Sequence, residues 1–194
     1  MIFERLQRPM CYRWLLLFLL VTVSPLLIPS PARAKQEMDR FVSPDGKLVA
    51  LVIHVGKEVG FENYESRVEL RTKEGSLLCT VDYSSKDSEH GYGVAKAAWT
   101  PDAQFFVYSL QNSGGHSPWH TPVQFYNRRQ NKVLSLDNVL GDSIAYPEFS
   151  IREPDEITVT LYFGQRQMTL RLSELAQGNP QKKAHGPDRP LPKS

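Results

Sequence analysis

From residue 41 to residue 172, apolar and polar side chains mostly alternate with a period of two or form short apolar runs, and few stretches keep the 3.6-residue rhythm of a helix. Leu48-Val49-Ala50-Leu51-Val52-Ile53 follows the turn Ser43-Pro44-Asp45-Gly46. There proline presets φ, aspartate bonds the turn backbone, and glycine accepts a positive φ. Residues 67–71 alternate, Lys73-Glu74-Gly75 turns the chain, and residues 76–81 return, which predicts a hairpin. In the returning strand, alternation puts Leu77, Cys79 and Val81 on one face.

The same order recurs. Trp99-Thr100-Pro101-Asp102 precedes Phe105-Phe106-Val107-Tyr108. Val123-Gln124-Phe125-Tyr126, a polar turn at 127–131, and a strand at 132–136 follow. A weaker third copy runs from Phe149-Ser150 and Pro154-Asp155 through Ile157-Thr158-Val159-Thr160-Leu161, turns at Gly164, and returns over 168–172. Pro44, Pro101 and Pro154 stand 57 and 53 residues apart, and matching order at a near-constant spacing is a repeat signature. Short helical turns are expected only at 137–141 and 173–178. The first copy has an inner strand only if residues 37–42 supply it, and the third has no clear outer strand.

The first 34 residues have a different pattern. Arg5, Arg8 and Arg13 precede the unbroken apolar run from Trp14 to Val23, and Ala32-Arg33-Ala34 closes the segment. This is the order of a cleavable signal peptide, with the mature chain beginning near Lys35, so periplasmic or secreted localisation is expected. The apolar stretch falls short of the roughly 20 residues that span a bilayer, so no stable membrane span is expected after cleavage. Cys11 precedes the apolar run, which argues against a lipoprotein. Residues 35–175 are then one β-repeat domain. Residues 176–194, with four prolines and Lys182, Lys183, Arg189 and Lys193, are read as a disordered basic tail.

Removing the leader changes the formal charge from +2 to −1, and setting the basic tail aside leaves the domain at −4. A weakly acidic domain argues against nucleic acid as partner, because phosphate binding needs a basic stripe. Cys79 alone remains of the two cysteines, so no disulfide is expected within the mature chain, and Cys79 is read as a small buried hydrophobe.

Phe41-Val42-Ser43-Pro44-Asp45-Gly46-Lys47-Leu48-Val49-Ala50 and Ala98-Trp99-Thr100-Pro101-Asp102-Ala103-Gln104-Phe105-Phe106-Val107 resemble the W-S-P-D-G-K segment of TolB-type, WD-like β-propeller blades. The resemblance implies an all-β chain of antiparallel, blade-like sheets, in a partial or open array of about three units. Propellers have four to eight blades. Three units therefore leave three arrangements open: an open curved array, closure with another copy in a homo-oligomer, or a sandwich that borrows the turn. The resemblance carries no activity with it.

In blade geometry the loops at 56–65, 83–93, 111–122 and 137–146 share one face, and long loops on a β-scaffold are where function concentrates. The sharpest of them is Asn112-Ser113-Gly114-Gly115-His116-Ser117-Pro118-Trp119-His120-Thr121-Pro122. His116, Trp119, His120, His90, Tyr92 and Tyr64 are the candidate ligand-binding residues, with Tyr146 beside them, because Trp and Tyr offer apolar area with a polar tip.

The resulting expectation is an exported interaction module that binds a protein or small ligand of the cell envelope through this face, without a cofactor. The alternative is a metal-dependent hydrolytic enzyme. His116, His120 and His90, with Asp87 or Glu89, are ligand types that suit zinc or copper, although Pro118 works against the helix that H-x3-H spacing needs. Ser113 with His116 is a thinner nucleophile–base pairing, since no G-x-S-x-G motif is present. His54 sits in an apolar strand and is read as a core histidine, and His185 carries no argument.

Overall fold

The computed structural model describes residues 37–59, 63–113 and 121–177. They form three antiparallel sheets in chain order. The first is the meander β1 (Met38–Val42), β2 (Leu48–Val59), β3 (Asn63–Thr72) and β4 (Leu77–Asp82). The second is the meander β5 (Tyr92–Trp99), β6 (Phe105–Asn112), β7 (Val123–Asn127) and β8 (Lys132–Ser135). The third holds β9 (Ser150–Arg152), β10 (Glu156–Thr160) and β11 (Gln167–Arg171), with β10 in the centre. Among the described residues two short α-helices, α1 (Leu136–Leu140) and α2 (Leu172–Ala176), and one 3-10 turn at Phe163–Gln165 punctuate the strands. The sheets do not close into a barrel. The chain is thus all-β and blade-like in its repeats, β1 supplies the first inner strand, and α2 follows β11 where an outer strand would stand.

Period-two alternation explains how the sheets stack. Every residue of β6 from Phe105 to Leu110 is buried, because both faces of the second sheet are covered. Phe106, Tyr108 and Leu110 pack with Tyr126 against Leu48, Ala50, Val52, Val68 and Leu70 of the first sheet. Phe105 and Val107, with Val123 and Phe125, pack against Ile157 and Val159 of the third and Leu172 of α2. The second sheet is therefore the middle layer, and each neighbour packs one face against it.

Specific bonds fix the layers. The Trp99 indole N–H donates to the Phe41 carbonyl at 3.0 Å, joining the first two inner strands. Lys96 Nζ donates to the Phe149 carbonyl at 2.8 Å and lies over that ring, joining the second unit to the third.

One face assignment needs correction. The β3–β4 pairing shifts between Leu70 and Arg71, so that Leu70 opposes Cys79 and Arg71 opposes Leu77. Leu78 is the extra residue of this bulge. Cys79 stays half-buried beside the first core, whereas Leu77 moves to the outer face and is 51% exposed. A bulge reverses the alternation on one side of it, which strict period-two reading cannot see.

The first two Pro-Asp corners are built alike. In the first, Ser43 Oγ donates to Asp45 Oδ1 at 2.7 Å and accepts from Leu48 N at 2.9 Å, with Gly46 at φ 68°. In the second, Thr100 Oγ1 donates to Asp102 Oδ1 at 2.5 Å and accepts from Phe105 N at 3.0 Å, with Ala103 at φ 59°. Arg128 joins them, donating to Asp45 Oδ2 at 2.7 Å and to the Ala103 carbonyl at 3.3 Å. The bond to Arg128 holds the Asp45 carboxyl well below the ordinary carboxylate range. The third corner departs from this plan. Its Glu153–Pro154 bond is cis, and the buried Asp155 turns inward to accept from Ser173 N of α2 at 2.8 Å.

Candidate functional site

Antiparallel pairing puts the β2–β3, β4–β5, β6–β7 and β8–β9 connections at the end of the sheets opposite the Pro-Asp corners. What organises that end is Glu65, at the start of β3, a carboxylate with no exposed surface. Its Oε2 accepts from Ser85 N at 2.6 Å. Its Oε1 accepts from Gly91 N at 2.7 Å, and lies 2.6 Å from Ser85 Oγ and 3.0 Å from Ser113 Oγ. The β4–β5 connection and the residue that follows β6 thus converge on one side chain of β3. Burial pushes the Glu65 carboxyl up, and the bonds from Ser85, Gly91 and Ser113 together outweigh it, so the group is held below its ordinary value.

The glycines around it are sterically required. A Cβ on Gly91 would lie 2.5 Å from both Glu65 Cδ and the Tyr83 carbonyl, and one on Gly93 would run into the Tyr64 carbonyl. Ser113 N also donates to the Gly91 carbonyl at 3.1 Å, so the loop ending at residue 91 and the end of β6 are directly joined.

This arrangement gives Ser113 a structural role. Its hydroxyl is buried and lies in bonding distance of Glu65 and the Gly91 carbonyl. It clamps the loop ending at residue 91 to the end of β6. Ser85, Asp87 and His90 also touch, with Asp87 Oδ2 at 2.7 Å from His90 Nδ1 and Asp87 Oδ1 at 2.8 Å from Ser85 Oγ. The serine here meets the carboxylates of Glu65 and Asp87, not the imidazole. With a single proton, Ser85 donates to Glu65 or to Asp87 at any moment.

Of the candidate residues, the structure brings Tyr64, His90 and Tyr92 to this end. His90 is exposed and paired with Asp87. Tyr92 is half-buried against the first core, and Tyr64 packs its ring edge-on to His54 at 5.1 Å. His54 Nε2 lies 3.4 Å from Asp39 Oδ2, as suits a strand histidine with partners. His116, Trp119 and His120 lie outside the described residues. Among the described residues no group of three or more His, Cys, Asp or Glu is placed to hold a metal ion.

Sequence reasoning named Tyr146 but missed Tyr162 and Phe163, its neighbours on the surface of the third unit. Phe163 is 71% exposed, Tyr146 46% and Tyr162 37%. The Tyr162 and Phe163 rings meet edge-on at 5.4 Å. Backbone bonds fix their segments: Tyr162 N to the Ser143 carbonyl at 2.8 Å, Ala145 N to the Thr160 carbonyl at 2.8 Å, and Thr121 N to the Ile144 carbonyl at 2.7 Å. Asp137 completes the frame, accepting from Val123 N at 2.9 Å and Ile144 N at 3.1 Å. The signal in the sequence was Tyr162-Phe163-Gly164, a pair of aromatics directly before a turn glycine, where a strand can no longer bury them.

No protein-family model matches the chain. No curated protein matches it either. Among solved structures, the chain is similar to a crystal structure of a puromycin hydrolase mutant in complex with PGG, at 9% identity and a TM-score of 0.25. The similarity covers 70% of this chain and 28% of that one, so the chain spans under a third of that protein's length. Among the described residues, no helix is long and apolar enough to cross a membrane.

Proposed function

We propose that the chain is an exported, TolB-like β-repeat module that binds a protein partner of the cell envelope through its long-loop face. The observation that carries the reading is the exposure of Phe163, Tyr146 and Tyr162 together on loops tied down by backbone hydrogen bonds. Large aromatics left in water on a rigid frame are what interaction surfaces use, since their area is gained at little ordering cost. The Glu65 clamp gives the neighbouring loops the same rigidity.

Site-specific photo-crosslinking in the producing cell tests it. A photoreactive phenylalanine at position 163 or 146 should give one discrete, reproducible adduct. The same probe at Lys47, on the corner face, should not give it. Phe163→Ala should abolish the adduct formed from position 146 while changing the stability of the fold by no more than about 0.5 kcal/mol, as for other exposed positions. An adduct of equal yield from position 47, or none from 163 and 146, rejects the loop face as the binding surface.

A further inference from the structure

Among the described residues the third sheet stops one strand short. In the first two sheets the third strand is paired on both edges, β3 between β2 and β4 and β7 between β6 and β8. In the last sheet the third strand is β11, which pairs with β10 alone. The α2 helix does not fill the gap. Its Leu172 and Leu175 turn into the core, and the Ala176 carbonyl accepts from Gln130 at the corner end.

The register fixes which groups the open edge presents. Leu161 N donates to the Arg166 carbonyl at 2.9 Å, and Leu172 N to the Asp155 carbonyl at 3.1 Å. Between those bonds β10 and β11 pair without a shift. Bonding pairs alternate along an antiparallel ladder, so Met168 and Leu170 turn their backbone groups to β10. The N–H groups of Gln167, Thr169 and Arg171 and the carbonyls of Gln167 and Thr169 point the other way, and bond to nothing among the described residues. The Arg171 carbonyl belongs to the start of α2. This edge has neither proline nor bulge, two devices that close edges elsewhere.

A second observation concerns what lies beside the edge. The second sheet has four strands and is tied to the third at its inner side by Lys96 and Phe149. It therefore reaches one strand further out, and β8 with the following α1 extends beyond β11. Leu134 of β8 and Val139 and Leu140 of α1 pack against the same core as Met168 and Leu170, and all five stay half-buried. The open edge thus runs above a half-covered apolar floor. On the outer face, Arg152, Glu156 and Arg171 stand in one cross-strand row, which a carboxylate opposite Arg171 would complete.

We infer that this edge takes an extended segment of a partner protein as a fourth strand, antiparallel to β11 as β4 and β8 are to their neighbours. Two alternate aliphatic side chains lie over the floor, and an acidic residue meets Arg171. Backbone bonds hold the segment and its alternation selects it. The chain's own residues 178–194 do not have this pattern, with four prolines and only Ala184 and Leu191 as apolar residues. A second copy's β11 would bring its own β8 and α1 into space that these already occupy. None of the exposed aromatics is used, so this inference and the loop-face reading fail separately.

The probe is the blocked peptide acetyl-Glu-Ile-Thr-Val-Thr-amide, which has the alternation and the acid. Titrated into the purified, isotope-labelled protein, it should give saturable amide shifts at Gln167, Thr169 and Arg171, with Ser85 and Gly91 unmoved. At about ten times its Kd it should slow hydrogen exchange of those three N–H groups about tenfold. Only the first, third and fifth peptide residues turn their backbone to β11. An N-methyl group on the third should therefore weaken binding at least about tenfold, and one on the fourth no more than about twofold. Thr169→Pro, which removes an N–H unbonded in the fold, should abolish binding, and the two N-methyl peptides test the same bond on the unaltered protein. Four results overturn the inference: no saturable shift, shifts confined to residues outside β11 and its floor, equal weakening by the two N-methyl groups, or a dimer that protects the same three N–H groups without peptide.

Discussion

At the scale of single residues, Glu65 is where chemistry and architecture meet. It is a fully buried carboxylate whose charge is met by peptide N–H groups and serine hydroxyls rather than by a cation. Fixed donors of this kind favour the ionised form and also hold the segments that carry them. Glu65→Gln would turn an amide NH2 toward donors that need an acceptor. The expected cost is about 3 kcal/mol in urea unfolding, the scale of one or two buried groups left unpaired. The pH dependence has a definite sign. The folded-state pKa lies below the ordinary value of 4.5, so the contribution is full above about pH 4.5 and is lost as the pH falls through the folded value. The stability gap between the parent chain and Glu65→Gln should therefore be widest near about pH 7 and narrow in acid. A gap that stays constant into acid would mean that Glu65 acts by shape and not by charge.

At the scale of elements, the Ser/Thr-Pro-Asp corner is a self-contained device. The hydroxyl of its first residue receives the N–H that starts the next strand and gives its own proton to the aspartate. Thr100 is fully buried, so Thr100→Val should leave Phe105 N unpaired and cost about 2 kcal/mol, with Thr100→Ser recovering most of it. Thermal unfolding of the three proteins measures this, and a valine variant as stable as the parent would show the bond to be dispensable. Such local devices are what the sequence displays openly. The corners, the hairpins and both short helices were legible because turn chemistry and period-two alternation act over a few neighbouring residues. The Leu78 bulge was not, because a register shift leaves composition unchanged. The third corner misled for a similar reason: Pro154-Asp155 looks like its two counterparts, yet Asp155 is recruited by α2, eighteen residues further on. At the candidate site the aromatic and histidine loops were visible as loops. The Glu65 clamp was hidden, since its partners stand 20, 26 and 48 residues away.

At the scale of the whole domain, the three units depend unequally on one another. The outer face of the third sheet is polar, with the Thr158 and Thr169 hydroxyls 2.8 Å apart and Arg171 bonded to Glu156 at 3.2 Å. That face can end an array in water, as terminal repeats do. The outer face of the first sheet is mixed: Met38, Val42 and Leu77 are exposed around an Arg67–Glu69–Arg71 ladder. These two ends are poorly matched for head-to-tail closure. Stability must therefore come from the middle layer, whose two faces serve both cores. Phe106 points into one core and Phe125 into the other, and each is fully buried. Phe106→Ala and Phe125→Ala should each cost about 3–5 kcal/mol. Because one sheet supports both cores, each variant should still unfold in a single transition, seen alike in the far- and near-ultraviolet circular dichroism. If the units instead behaved as independent repeats, Phe125→Ala would melt the third sheet first and leave a plateau with the first two still folded. That plateau is the outcome that would break the three-layer account.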